Sequence, residues 1–244
     1  MIPFNNFRLV VNVKNLSEAL KAQEANADAI LLYDKIPDTI IELEVSGPQF
    51  RSDIVKDIIE NVSIPLIVRV RIGNLVEINM LKKMGVKYFY EVNIVKKNDQ
   101  IIKYSLINDE QYTSMCAISD FEDIVNRLKD GYHMFKISGK TISDILVNCK
   151  NIHHSIKYIY KLTRTQLLNY SKTQDISLQL CEYISLHHNI PGAIYISKIN
   201  NYSDFELIKE DKTIGYLING IVLENNIFLN DNDKLNLDNY RLNQ

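Results

Sequence analysis

The 244 residues include 46% hydrophobic and 24% charged side chains, enough apolar material for one sizeable core, so a single domain is the starting expectation. A net charge of −2, a pI near 6.2 and lysines scattered among carboxylates leave no basic footprint, which argues against nucleic-acid binding. No stretch reaches the ~18 apolar residues of a membrane span, and the first thirteen residues lack a basic region leading into a long apolar run. A soluble, cytoplasmic chain is expected.

In chain order, short apolar runs alternate with helix-period segments, the pattern of parallel strands linked by crossover helices. The first strand is expected over Arg8–Val13. Asn15 and Glu18 then form a capping pair ahead of a helical face made by Leu16, Ala19, Leu20 and Ala27. Ala29–Tyr33 reads as the second strand, followed by a stripe of Ile54, Val55, Ile58, Ile59 and Val62 after Ser52. Leu66–Val70 is the third strand, and the helix from Leu75 to Met84 stops at Gly85. Lys87–Glu91 and Thr113–Ala117 are the fourth and fifth strands. Phe121, Ile124, Val125 and Leu128 give the next helix before Gly131, and His133–Ile137 is the sixth strand.

About 55 residues separate that strand from Ala193–Ile196, the seventh. This length holds an ordinary helix plus a two-helix insertion, Ile142 to Leu162 and then Leu167 to Leu186, expected on the barrel exterior or rim. Phe205, Leu207 and Ile208 follow Ser203 as a helix, and Gly215–Ile218 is the expected eighth strand. The whole pattern predicts a (β/α)8 barrel over residues 1–223 with a reduced last helix. Residues 224–244, with weak periodicity, read as a tail.

Cys116, Cys149 and Cys181 are odd in number, far apart and set in apolar segments, which suits buried thiols rather than disulfides. The Asn-X-Ser triplets at Asn61, Asn169 and Asn201 carry no meaning without a secretory leader. Adjacent histidines, His153-His154 and His187-His188, point about 100° apart on a helix and do not converge on one ion, so no metal site is read. No cofactor is read either. Only eight glycines occur, roughly half of ordinary usage.

The run from Ser63 to Glu77, Ser-Ile-Pro-Leu-Ile-Val-Arg-Val-Arg-Ile-Gly-Asn-Leu-Val-Glu, resembles the third-strand signature of the PdxS/Snz family, with Arg71-Ile72-Gly73 and Val76-Glu77 as its core. Ala29 to Pro37, Met84-Gly85-Val86 through Glu91, Asp120 to Lys140 and the insertion with Leu167 to Pro191 fall into the same register. The resemblance implies a synthase subunit of pyridoxal 5′-phosphate synthase, building the cofactor from a pentose phosphate, a triose phosphate and ammonia from a glutaminase partner. It also implies two lysines that form successive imines with the sugar.

Imine formation needs a primary amine, which no other side chain supplies. The position of the family's first lysine holds Arg69, whose guanidinium stays charged. The second falls on Ser138. The family's first-strand carboxylate matches Asn12, which keeps the shape and loses the charge. Acidic positions after the fourth strand appear as Tyr90 and Asn93, although Glu91 persists.

Phosphate loops in such barrels need bare backbone after strands seven and eight. Here the seventh loop, Ile196 to Ser203, has no glycine, Gly220 is expected to be what remains of a double-glycine turn after the eighth strand, and the sixth loop, Gly139 to Asp144, is depleted. Lys136 projects on the same face as Ser138 and is either a relocated amine or a basic substitution for a family arginine. Lys198 either holds a phosphate by charge or is a surface lysine. Arg69 and Arg71 share a face toward the barrel interior and need an acceptor, for which Glu91 or Asp34 is expected.

Two functions follow. The favoured one is a non-catalytic barrel that joins or regulates a ring assembly with a catalytic PdxS/Snz paralogue in vitamin B6 biosynthesis, since the resemblance implies hexameric rings that stack. The alternative is a divergent, active pyridoxal 5′-phosphate synthase or a re-purposed barrel enzyme using Lys136. Because few residues precede the first strand, glutaminase binding is expected to be weak or absent.

Overall fold

A computed structural model describes residues 8–32, 51–71, 74–92, 112–199 and 201–224. Eight parallel strands close into a barrel in sequence order: β1 (Leu9–Val13), β2 (Ala29–Leu32), β3 (Leu66–Arg71), β4 (Tyr88–Val92), β5 (Thr113–Ile118), β6 (Met134–Ile137), β7 (Ala193–Ile199) and β8 (Gly220–Leu223). β8 pairs with β1 through Val222↔Val10, which closes the ring. The architecture is the (β/α)8 barrel that the alternation of elements predicts.

The strands are apolar on both faces because both are covered. One set of side chains, including Val11, Val68, Val70, Phe89, Phe135 and Ile221, packs under the helices in a large outer core. The alternate set, including Val10, Leu31, Ile67, Tyr90, Met115, Met134, Tyr195 and Val222, fills the lumen. Successive side chains on a strand point to opposite faces, so every residue in register with a member of one set belongs to that set.

The helices are stopped and started by the expected local chemistry. α1 (Leu16–Glu24) has Asn15 as its N-cap, accepting from the Glu18 N–H, while Glu18 returns to the Lys14 N–H at 2.8 Å. α2 (Ser52–Asn61) buries Val55 and Ile58, and α3 (Leu75–Lys83) is capped by Asn74. α4 (Phe121–Lys129) is capped by Asp120. Gly85 and Gly131 sit just past α3 and α4 at φ +97° and +88°, a left-handed conformation that costs glycine least.

The long connection after β6 holds three helices: α5 (Ile142–Tyr160) as the ordinary crossover, then α6 (Arg164–Thr173) and α7 (Leu178–His187) as the insertion. His188 ends α7 in the left-handed conformation and stacks on Tyr160, and His187 stacks on Tyr183, so this histidine pair is used in packing. α8 (Tyr202–Glu210) and α9 (Lys212–Leu217) precede β8. All three cysteines are buried free thiols, as the apolar setting predicts. Among the described residues, no helix is long and apolar enough to cross a membrane.

The eighth strand is a correction. The expected strand Gly215–Ile218 falls on α9 and the turn after it. Ile214, Leu217 and Ile218 are buried at helical spacing, and Asp211 caps the Thr213 and Ile214 N–H groups. The true strand is Gly220-Ile-Val-Leu223, a later run of branched residues. Gly220 therefore opens β8 at its N-terminal end, paired with Tyr195, and is not part of a loop after the strand. The calls on residues 225–244, Asp34, Asn93 and Gly73 lie outside the described residues.

Candidate functional site

In a closed parallel barrel the C-terminal strand ends form the mouth where chemistry is placed. Register puts Asn12, Arg69, Tyr90, Lys136 and Tyr195 on the lumen face: Arg69 pairs with Tyr90, Lys136 pairs with Tyr195, and Asn12 lies two residues beyond Val10. Arg71 shares the face of Arg69 one step nearer the mouth. Tyr195 is fully buried and Tyr90 nearly so, so two phenol rings occupy space in the middle of the barrel.

Lys136 is half-buried, and its Nζ stands 4.5 Å from the centroid of the Tyr90 ring, a cation held against the negative face of an aromatic. The two positions expected to carry imine-forming lysines hold Arg69 on β3 and Ser138 just beyond β6. Ser138 is tied down by its backbone: its N–H donates to the Ile118 carbonyl at 2.7 Å, and its own carbonyl accepts from Asn148 Nδ2 at 2.8 Å. Among the described residues of this wall, the primary amine is that of Lys136.

Asn12 is 5% exposed and donates from Nδ2 to Glu224 Oε2 at 3.0 Å, a contact between residues 212 apart in sequence. Glu224 follows β8 directly and is two residues beyond Val222, on the lumen side. Sequence reading missed this carboxylate because it assigned the eighth strand too early. Its placement matters for anion binding, since it puts a full negative charge at the strand end where barrels of this class hold phosphate.

In the loop after β6, backbone donors that could meet a phosphate are already used. After β6, Gly139 is so tightly packed that an added Cβ would meet Ile145 Cγ1 at 2.6 Å, and the N–H groups of Lys140 and Thr141 already donate to Asp144 at 3.1 and 2.9 Å. Thr141 and Asp144 form a reciprocal capping box there. The backbone hydrogen bonds hold the Asp144 carboxyl below the usual carboxylate range. At the end of β7 the pairing with β8 slips between Ile196 and Ile199, and Lys198, exposed, adopts φ +65°. The glycine-type backbone survives at Lys198, but the side chain is a lysine.

Glu91 is a second correction. Expected as a lumen acceptor for Arg69 or Arg71, it pairs in register with Val70 and Cys116 and so faces the outer core, where it is 1% exposed. It lies beside Tyr132 and Cys116: burial, then the Glu91 charge, pushes the Tyr132 phenol up. Burial raises the Cys116 thiol too, partly opposed by Arg127. Arg127 lies 5.7 Å over the Tyr132 ring and 3.6 Å from Asp130. The single-residue alternation of a strand decides this, because Tyr90 and Glu91 cannot face the same way.

A separate cleft of about 320 Å³ opens between α4 and α7, lined by Val125, Leu128, His133, Leu180, Tyr183 and Pro191. His133 precedes β6, so this cleft sits at the opposite end of the strands from the mouth. His153 and His154 lie on α5, where burial and the charge of Lys157 lower the His153 pKa. Among the described residues no group of three or more His, Cys, Asp or Glu side chains is placed to hold a metal ion.

Residues 5–196 match the model of the SOR/SNZ family. Among curated proteins, the chain is 25% identical over 170 residues to the pyridoxal 5′-phosphate synthase subunit PdxS of Bacillus cytotoxicus, covering 67% of this chain and 57% of that protein. The protein of the same name from Bacillus cereus strain Q1 is 24% identical over 189 residues, covering 75% of this chain and 63% of the relative. That from Bacillus anthracis strain A0248 is 26% identical over 170 residues, 67% and 57% respectively. The matched region thus spans about three-fifths of the length of these relatives.

Proposed function

The chain belongs to the SOR/SNZ family, and we propose that it is a non-catalytic pyridoxal 5′-phosphate synthase-like barrel that assembles with, and regulates, a catalytic relative. The observation that carries this reading is the pair Arg69 and Ser138 at the two positions where the family resemblance implies imine-forming lysines. Guanidinium cannot lose its proton near neutral pH and a hydroxyl cannot form an imine, so these two positions offer no amine between which the sugar could pass. Glu224 at the end of β8 and the capping box after β6 support the same reading, because each removes a welcome for phosphate. The core that holds the barrel shape is intact, which is what a place in an assembly requires.

The test mixes the chain with an intact synthase subunit. Co-elution on a sizing column and a changed turnover of the mixture are expected. Separate elution with unaltered turnover overturns the reading. A second reading rests on Lys136, an amine that reaches the lumen over Tyr90, and would make the protein a divergent synthase or a re-purposed barrel enzyme. Incubation with a pentose phosphate and borohydride, followed by intact-protein mass, separates the two. The non-catalytic reading expects no gain. A gain that disappears in Lys136→Ala establishes the other.

A further inference from the structure

The upper lumen contains an acceptor with nothing to accept. Asn12 spends its Nδ2 on Glu224, and its Oδ1 is buried with no hydrogen-bond partner. The carboxylate decides which end of the amide is which, because an ionised carboxylate only accepts. A buried acceptor in this state carries its desolvation penalty uncompensated, and a ligand that brings a donor recovers it. Beside it, half-buried Glu224 uses Oε2 for Asn12 and adds a negative charge to the same corner of the mouth.

Three strands away around the barrel, Lys136 holds its ammonium over the Tyr90 ring. Contact with a ring face leaves N–H donors for an anion. The lumen therefore has an acceptor end, Asn12 with Glu224, and a donor end, Lys136, on a face that also has Arg69 and Arg71 and apolar side chains such as Met115 and Val222.

We propose that the barrel mouth binds a small amino-acid zwitterion. Its ammonium group meets Asn12 Oδ1 and Glu224, and its carboxylate meets Lys136. A phosphate group is disfavoured at the β8 corner, where its charge would face the Glu224 carboxylate, so the anionic end of the ligand is placed at Lys136, on the lumen face that also has Arg69 and Arg71. The proposal is independent of whether the protein is catalytic, since it requires no covalent step.

Free glycine, β-alanine and 4-aminobutyrate carry the same two end groups at increasing separation, so together they measure the distance between the two ends of the site. Each is titrated calorimetrically into the full chain, alongside methylamine, acetate and inorganic phosphate. One member of the series is expected to bind at least about tenfold more tightly than methylamine or acetate. Glu224→Gln, which still accepts from Asn12, and Lys136→Met are each expected to weaken that binding about tenfold. An unchanged thermal midpoint in Glu224→Gln verifies that the fold is kept. The proposal is overturned by the absence of binding across the series, by phosphate binding more tightly than every member, or by equal affinity of the wild type and Glu224→Gln. The borohydride experiment reads only covalent capture, so its failure and this one are told apart.

Discussion

The two faces of the same eight strands have different characters. The outward face is almost wholly apolar and fully covered, with Phe135, Ile196 and Ile221 at zero exposure and Glu91 as its buried charge beside Tyr132. The inward face mixes large apolar side chains with Asn12, Arg69, Arg71 and Lys136, and it includes positions 12, 69 and 90, where the family resemblance implies chemistry. Because strand side chains alternate, one face can be rewritten while the other is left alone. The barrel shape depends on the first, and the proposed ligand depends on the second.

This contrast can be broken at the outer face. Phe135→Ala removes a fully buried ring that packs against Gly192, and it is expected to cost roughly 3–5 kcal/mol in a urea unfolding curve. A loss below about 1 kcal/mol would show that the outer layer does not hold the barrel.

A smaller effect sharpens the inward side. Asn12→Asp restores a carboxylate to β1 but sets it against Glu224, now 3.0 Å from the amide nitrogen. Two like charges at that distance raise the pKa of the pair, so the destabilisation is present at neutral pH and relieved as pH falls and one carboxyl takes up a proton. A loss of about 2 kcal/mol at pH 7 that shrinks toward pH 4 is expected from unfolding curves across that range. A loss independent of pH would place Glu224 elsewhere than beside residue 12.

The smallest effect lies at the helix that sequence reading mistook for a strand. Asp211 feels burial, which raises its pKa, but the hydrogen bond and charge of Lys150 and the N–H groups of Ile214 and Thr213 outweigh it, and the net shift is downward. A depressed carboxyl contributes stability that is complete above its unfolded pKa and lost as pH falls through the folded value. Asp211→Asn is therefore expected to flatten the acid limb of the stability profile while costing less than about 1 kcal/mol at pH 7. An unchanged acid limb would assign that slope to other carboxylates.

Most of the barrel was legible because its signals are local. Continuous branched runs such as Leu66–Val70, the Asn15 and Glu18 cap, and Gly85 and Gly131 past their helices each act within a few residues. Residues 212–218 misled because a six-residue helix and a short strand both present closely spaced apolar side chains. Only the burial of Ile214, Leu217 and Ile218 together against the Asp211 cap settles the matter in favour of the helix. At the site, the identities at positions 12, 69, 136 and 138 were readable, whereas the face of Glu91 needed the strand register.

What the order of amino acids determined by itself was the alternation of strands and helices, the long excursion after β6, and the presence of Arg69 and Ser138 at the two positions where the family resemblance implies lysines. The contact of Asn12 with Glu224 was decided only in three dimensions. Those two residues are brought together when β8 returns to pair with β1, and no periodicity within a window of residues can report a contact that exists only once a ring of eight strands has closed.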